Sequence, residues 1–139
     1  MGFAESDKSA LEVSEEERHQ VLPAHLGQER RLPFLFFETF KDIATSPEAN
    51  ETAAAFVREK IAEIVKDPAT AKLLQPKGHY GGRPLCTRGY YEAFNEPNVA
   101  LVDISTNRIA RITPTGIALD SGQTFDFDII VYGNRLRRR

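Results

Sequence analysis

The sequence has little of what several common protein classes require. Its 139 residues include one cysteine, Cys86, which cannot form a disulfide within the chain, and three scattered histidines offer no zinc-ligand spacing. No stretch approaches the roughly 18 consecutive apolar residues of a membrane-spanning helix. The first residues lack the basic and apolar regions of a secretory signal. We therefore expect a cytoplasmic protein with no membrane partner and no bound metal.

Strong charge of one sign is also missing. The formal net charge is −2, so no broad basic surface for nucleic acid is expected. Residues 135–139 are the exception, because four of these five are arginine. Clustered arginines can neutralise phosphates. The acidic total charge and the absence of a matching basic face nevertheless argue against a nucleic-acid partner.

What is present has the composition of one globular domain, with 41% hydrophobic and 27% charged residues. The fold class expected is α+β, with helices first and short, mostly antiparallel strands after them. We divide the chain into a polar leader with one short helix, a helical segment, a glycine-rich loop with an aromatic segment, a strand region and an arginine-rich tail. These cover residues 1–33, 34–76, 77–97, 98–132 and 133–139.

Three capping signals locate the helices. Ser14 begins a capping box and predicts a leader helix that ends near Leu22. Ser46 followed by proline predicts the clearest helix, which ends at about Lys66, and Asp67 followed by proline predicts a shorter one. Apolar residues at helical spacing give the middle helix one buried face: Ala49, Ala53, Phe56, Val57, Ile61, Ile64 and Val65.

The second half of the sequence predicts strands separated by turn residues. The strands are expected at residues 99–104, 109–112, 116–119 and 125–132. The last of them begins with alternating residues and becomes continuously apolar, which is typical of a strand buried on both faces. Between the two halves, residues 77–89 are rich in glycine and proline and contain several basic residues. Such a loop can bring its backbone close to a ligand.

Seven stretches, in order and near the expected spacing, resemble the Baeyer–Villiger type flavin monooxygenases. These enzymes use FAD, NADPH and dioxygen to turn ketones into esters or lactones. The matching motifs include Arg83-Pro84-Leu85-Cys86 and Gly89-Tyr90-Tyr91-Glu92-Ala93-Phe94-Asn95. The full set covers residues 40–43, 47–51, 56–61 with 65–68, 83–86, 89–95, 98–103 and 112–117.

The resemblance implies an internal fragment of a longer enzyme. Nothing here matches the family's glycine-rich G-x-G-x-x-G loops or its F-x-G-x-x-x-H-x-x-x-W-P fingerprint, and the sequence has no tryptophan. The stretch from Phe40 to Pro76 then resembles the family's helical insert, and the strands from Asn98 onward resemble those that return to the NAD(P)- and FAD-binding Rossmann-like domains. Such a fragment is expected to be inactive alone and to bind neither FAD nor NADPH stably. Its partners would be a ketone and dioxygen in the intact enzyme, and the remainder of that enzyme.

Arg83 is the residue to which the resemblance assigns chemistry, both catalytic and cofactor-binding. In the family an arginine at this place lies over the flavin, stabilises the anionic flavin peroxide and contacts the nicotinamide end of NADPH. A guanidinium suits this role because it stays charged at any working pH. Without the motif, an arginine in a glycine loop would be read as merely solvated. The family usually has a lysine where this chain has Gly82, and the loop is shorter here, which weakens the expectation of NADP binding.

The tail departs further from the family. After Tyr132 the family continues Ala-Thr-Gly-Phe-Asp-Ala, whereas this chain continues from Gly133 into the arginine-rich tail. One choice of codons for the tail, GGC AAC CGG CTT CGA CGC CGT, encodes the family motif once a single G is removed. We therefore hypothesise a frameshift at Gly133.

Other interpretations of the same residues remain open. Cys86 with His79 as base would form an activated thiolate, although no third orienting group is evident. The aromatic cluster around Tyr90 could stack on a ring, but such clusters more often fill a seam between domains. A non-catalytic interaction module would use the apolar segment from Phe34 to Phe40 to cover a partner.

Overall fold

The computed structural model describes residues 6–26, 39–80 and 89–133, with side chains up to residue 22 in the first range. The chain divides into two units, Met1–Ala100 and Leu101–Arg139. The described residues of the first unit form α1 (Glu15–Leu26), α2 (Pro47–Ile64), α3 (Pro68–Leu74) and a 3-10 helix (Glu92–Asn95). Those of the second form β1 (Ile109–Thr113), β2 (Gly116–Leu119) and β3 (Thr124–Asp126). The predicted order, helices before antiparallel strands, is confirmed.

The helix α2 forms where its capping and apolar pattern predict it. The Ser46 hydroxyl accepts a hydrogen bond from the Ala49 N–H at 3.2 Å, which satisfies one of the free donors of the first turn. The expected apolar face is buried at Ala49, Ala53, Phe56 and Ile61. α3 begins in the same way, with Asp67 accepting from the Thr70 N–H at 2.8 Å. Among the helices of the described ranges, none is long and apolar enough to cross a bilayer.

The helix α1 starts as predicted but extends further. Ser14 accepts from the Glu17 N–H at 3.1 Å, while the Glu17 carboxylate bonds Lys8 instead of reaching back to the cap. We expected the helix to end near Leu22, yet it continues to Leu26 and includes Pro23. A proline removes one helical hydrogen bond. Leu22 is 3% exposed and lies in the core, so packing against α2 compensates for that missing bond.

The first unit has two apolar clusters. The larger contains Leu22, Phe40, Ile43, Ala53 and Phe56 among its buried members, and the smaller contains Ile61, Val65 and Ala71. Phe40 is 1% exposed. It therefore cannot contribute to an exposed surface for a partner, which corrects that part of the interaction-module interpretation. Residues 34–38 of the same segment lie outside the described residues.

The second unit is built on a three-stranded antiparallel sheet in the order β1-β2-β3. Thr113 pairs with Gly116 and Ile117 with Phe125, and the predicted turn after β2 places Gly122 at φ +85°. Gly116 permits the close approach of β3. A Cβ atom at this position would lie 1.9 Å from the Phe125 carbonyl oxygen.

Two strand predictions in this region are wrong. Residues 99–104 and 127–132 have no strand structure, and the strand β3 ends at Asp126. Ile129 and Val131 are 80% and 87% exposed rather than buried. The apolar composition correctly indicates segments suited to a sheet. A strand, however, needs a hydrogen-bonded neighbour, and β1, β2 and β3 pair only with one another in the described part of this unit.

Candidate functional site

The predicted site residue Arg83 lies outside the described residues, together with Gly82 and Cys86. We call residues 81–88 the Arg83 segment. The structure describes the residue on either side of it, Tyr80 and Gly89, and the contacts that hold these flanks. Hydrogen bonds hold the chain on both sides of the segment against the two ends of α2. The candidate site is therefore defined here by the supports of the Arg83 segment.

The first flank is held by Asn50, a polar residue on the buried side of α2. Its Oδ1 accepts a hydrogen bond from the Tyr80 N–H at 2.7 Å, and its Nδ2 donates to the Tyr80 carbonyl at 2.6 Å. The same Nδ2 donates to the Ile43 carbonyl at 3.1 Å. The side chain is 2% exposed. One buried amide thus binds both backbone polar groups of the residue that precedes the Arg83 segment.

His79 lies beside this amide. Its Nε2 is 3.4 Å from Asn50 Nδ2. An amide nitrogen has two N–H groups, and the two shorter bonds of Asn50 go to carbonyl oxygens, so the histidine contact is secondary. Cys86, the proposed nucleophile of the alternative reading, is not among the described residues. The structure therefore leaves the pairing of His79 with Cys86 an untested hypothesis.

The second flank returns to the other end of α2. Gly89 has φ +74°, a left-handed conformation that favours glycine. Beyond it, Asn95 accepts from the Lys66 N–H and donates to the Ile64 carbonyl, both at 2.8 Å. These bonds satisfy backbone groups at the carboxyl end of α2 that have no partner within the helix.

The aromatic residues of this flank serve mainly as packing. Tyr91 and Phe94 lie against the smaller apolar cluster around Ile61. Tyr90 meets the Tyr91 and Phe94 rings edge to face, with centroids 5.3 and 5.4 Å away, and is half exposed. Burial raises the pKa of the Tyr91 hydroxyl, and the neighbouring Tyr90 adds to the effect. This contact pattern fits packing within the first unit better than a stacking platform, since two of the three rings lie against its smaller apolar cluster.

A cleft between α1 and α2 has a volume of about 230 Å³. His19 lies in it, with its ring nitrogens 3.9 Å from carboxylate oxygens of Glu15 and Glu59 and its ring edge to face with Phe56. Pockets for drug-sized ligands usually measure about 300–1,000 Å³. This cleft is too small for a dinucleotide, and its lining carries two carboxylates, Glu15 and Glu59, against one arginine, Arg18. It fits neither FAD nor NADP, and the described residues contain no cluster suited to a metal ion.

Sequence reasoning missed Asn50 and Asn95 as supports. A signal for Asn50 was present, because it interrupts the small apolar residues Ala49, Ala53 and Ala54 on the buried face of a helix. A buried polar side chain is costly unless it is hydrogen-bonded, so its position indicates a specific partner. No comparable signal marks Asn95, whose partners are backbone groups 29 and 31 residues away.

Comparison with known proteins gives matches along nearly the whole chain. A phenazine N-monooxygenase from Lysobacter antibioticus is 45% identical over 131 residues, which is 94% of this chain and 24% of the relative. A Baeyer–Villiger monooxygenase from Pseudooceanicola batsensis is 47% identical over 132 residues, with the same coverage of both chains. No protein-family model matches the chain.

Solved structures agree with these relatives. A cyclohexanone monooxygenase mutant from Rhodococcus sp. Phi1, bound to NADP+, superposes with a TM-score of 0.90 at 43% identity and covers 99% of this chain. This chain covers 26% of that structure. OTEMO in complex with FAD and NADP superposes with a TM-score of 0.83 at 32% identity, covering 91% of this chain and 24% of its own. Related monooxygenases thus bind FAD and NADP.

In sequence and in fold, nearly the whole chain matches one stretch of larger monooxygenases. More narrowly, it is homologous to one stretch of the Baeyer–Villiger monooxygenases, so the resemblance found in the sequence is confirmed. The chain spans about a quarter of the length of the curated relatives it matches, 24% in each of the first two.

Proposed function

We propose that this chain is a stretch of an FAD- and NADPH-dependent monooxygenase, and that the intact protein inserts one oxygen atom of dioxygen into a ketone. The observation that carries the proposal is the 47% identity to a Baeyer–Villiger monooxygenase over 94% of the chain. The agreement of the backbone with a cyclohexanone monooxygenase, at a TM-score of 0.90, supports it as well.

Within that protein, Arg83 is the catalytic and cofactor-binding residue of this stretch. Its guanidinium is a permanent cation and can stabilise negative charge that develops on oxygen during the reaction. The attachment of both flanks to α2 supports the role, because a group that stabilises developing charge must be held in place before the reaction. FAD, when bound, supplies the oxygen chemistry, and NADPH supplies reducing equivalents.

The exposed apolar residues of the second unit support the fragment interpretation. Ile129, Val131 and Tyr132 are 80%, 87% and 64% exposed. A stand-alone domain rarely leaves such side chains in a contiguous exposed run. In a protein about four times longer they would have neighbours to cover them. We therefore propose that the chain alone binds neither cofactor and catalyses nothing.

A chimera tests the proposal. Residues 6–132 replace the matching stretch of the Rhodococcus sp. Phi1 cyclohexanone monooxygenase, and ketone-dependent NADPH oxidation and product are measured. We expect a flavin-loaded enzyme that forms a lactone from cyclohexanone, and the isolated chain to show neither flavin absorbance nor turnover. Arg83→Ala in the chimera should abolish lactone formation, whereas Arg111→Ala, a control on exposed β1, should leave it intact.

Two results would overturn the proposal. One is a folded, flavin-loaded chimera that does not oxygenate the ketone although the parent enzyme does. The other is equal activity of the Arg83→Ala and Arg111→Ala chimeras, which would remove Arg83 from the site.

A further inference from the structure

We propose that residues 129–132, which we call the docking segment, are an interaction surface for the remainder of the monooxygenase. The segment would pair, as an added strand, with the edge of a sheet that the remainder supplies and that is covered on both faces. The inference rests on the proposed function, because that function provides the source of the partner sheet. It adds the part of this chain that binds the partner and the mode of binding.

The second unit has very little core of its own. Among its described residues, the buried apolar side chains are those of Ala118 and Leu119, both in β2. The neighbouring strand β1 leaves Ile109 and Ile112 exposed. A small sheet is stable only when an apolar face packs against another element. The second unit therefore has the composition of a piece that packs against further protein.

The backbone of the docking segment lacks partners as well. Just before it, the Phe127 N–H donates a hydrogen bond to the Thr115 carbonyl at 2.8 Å. In the described part of the chain, no backbone N–H or carbonyl group of residues 129–132 takes part in a hydrogen bond. Unpaired backbone groups that continue from a sheet are a template for pairing with another strand. The pairing that ends at Phe127 therefore needs a neighbour from elsewhere to continue.

The side chains of the docking segment indicate which kind of sheet it fits. Successive side chains of a strand point to opposite faces, so Val131 and Tyr132 would lie on different faces. They are 87% and 64% exposed, and the segment has no charged residue. Both faces would thus present large apolar side chains. Such continuous apolar runs are typical of strands buried between two layers, as in parallel sheets.

The remainder of the enzyme fits this description better than a second copy of the chain. The Rhodococcus sp. Phi1 cyclohexanone monooxygenase contains this fold, with a TM-score of 0.90, and the chain covers 26% of it. Most of that protein therefore has no counterpart here and is available to cover the docking segment. The described sheet of this chain leaves β1 exposed along four of its five residues. A second copy would therefore not offer a sheet covered on both faces.

The first test measures hydrogen exchange in the isolated full chain and in the flavin-loaded chimera. Amides of residues 129–132 should exchange at nearly the unstructured rate in the isolated chain and at least a hundredfold more slowly in the chimera. The amides of Ile117 and Phe125, which already pair, are the internal reference and should be protected in both. Fast exchange of the docking segment in the chimera would overturn the proposal. So would equal protection in the isolated chain that rises with its concentration, which would assign the segment to a second copy.

The second test uses Ile130→Pro, which removes a backbone donor that a paired strand requires. In the isolated chain this N–H has no described partner, so the urea midpoint should not change. In the chimera, bound flavin per protein should fall at least tenfold. Ile130→Val is the matched control, because it keeps the donor and a branched apolar side chain, and it should retain the flavin.

The outcomes separate this inference from the proposed function. A proline chimera that loads flavin as well as the valine chimera would overturn the added strand, as would an equal loss of stability in the isolated chain. A flavin-loaded chimera that protects residues 129–132 but does not oxygenate the ketone would instead refute the proposed function and leave the docking segment established.

Discussion

Single polar side chains hold distant segments of the first unit together. Asn50 binds Tyr80, Asn95 binds the end of α2, and Asp42 binds the segment before α1. Each of these side chains binds a backbone group about thirty positions away in the sequence. Asp42 also binds a hydroxyl, that of Ser9. Backbone groups in loops have no strand or helix partner, so side-chain amides and carboxylates bind them instead.

Asp42 should make the chain acid-sensitive. It accepts from the Ser9 hydroxyl at 2.5 Å and the Ala10 N–H at 2.8 Å. Burial raises the pKa of this carboxyl, but these hydrogen bonds outweigh it and hold the pKa below its ordinary value. A lowered folded-state pKa stabilises the fold above the unfolded-state pKa of about 3.9, and that contribution is lost as the pH falls through the folded-state pKa.

We therefore expect Asp42→Asn to lower the free energy of unfolding at pH 7 by about 1 kcal/mol, a value kept small because the carboxylate is partly exposed. The difference from the natural chain should shrink below about pH 4. Urea unfolding at pH 7 and at about pH 3 measures both values. An equal difference in free energy of unfolding at both pH values would show that the ionised Asp42 carboxylate is not what stabilises the fold.

Gly116 should not tolerate a side chain. Because an added Cβ would lie 1.9 Å from the Phe125 carbonyl oxygen, Gly116→Ala must separate β2 from β3. We expect a loss of about 1–3 kcal/mol, seen as faster amide exchange at Ile117 and Phe125. Gly78→Ala is the control, since nothing lies within 4 Å of its Cβ position. Similar exchange in the two variants would show that the sheet can adjust.

At the scale of elements, the parts predictable from sequence are those determined by local signals. The caps at Ser46 and Asp67 and the apolar face of α2 follow from neighbouring residues. The turn at Gly122 follows from the turn-forming residues 120–123. The errors arise where a distant contact decides. α1 continues past Pro23 because Leu22 packs in the core. In the described part of the chain, residues 99–104 pair with no strand, and residues 127–132 continue the sheet by a single bond, from the Phe127 N–H to the Thr115 carbonyl at 2.8 Å. For the same reason the site was predicted through the motif at Arg83, whereas its support at Asn50 depends on a partner thirty residues away.

The Ser46 cap of α2 should make a measurable contribution to the free energy of unfolding. Ser46→Ala leaves the Ala49 N–H without its acceptor and should lower the free energy of unfolding by about 1 kcal/mol. Ser46→Asp should keep most of this stability, because aspartate is an equally good cap and suits the positive end of the helix dipole. Its one loss is the bond that the Ser46 hydroxyl donates to Glu48 Oε2 at 2.9 Å. Urea unfolding followed by helical circular dichroism tests the pair. Equal loss in both variants would show that the cap hydrogen bond is not the cause.

At the scale of the whole molecule, each unit has its own packing, and the second leaves much apolar surface uncovered. Ile129 and Val131 are its most exposed large side chains. We expect Ile129→Ser with Val131→Ser to reduce binding of a hydrophobic dye and self-association by at least half, without changing the helical circular dichroism. Sedimentation velocity and dye fluorescence provide the measurements. Unchanged dye fluorescence and sedimentation would show that Ile129 and Val131 do not form the surface responsible for self-association.

Residues 134–139 of the arginine-rich tail lie outside the described residues, and the frameshift at Gly133 is a hypothesis about the gene. We expect the DNA, read one base out of frame after Tyr132, to encode Ala-Thr-Gly-Phe-Asp-Ala. Sequencing the gene across the codon for Gly133 tests the frameshift. A neighbouring frame without that motif would remove the frameshift explanation.

The two attachments on α2 also limit where the length of this chain can change. Ile64, whose carbonyl Asn95 binds, lies fourteen positions after Asn50, a distance of about 21 Å along the helix axis. One residue inserted between them would turn one attachment by about 100° relative to the other, so the amides could no longer both face their partners. α2 therefore fixes the distance and the rotation between the two attachments. Insertions and deletions, whether they occur between homologues or are introduced by mutagenesis, should fall in residues 81–88 and not within the helix.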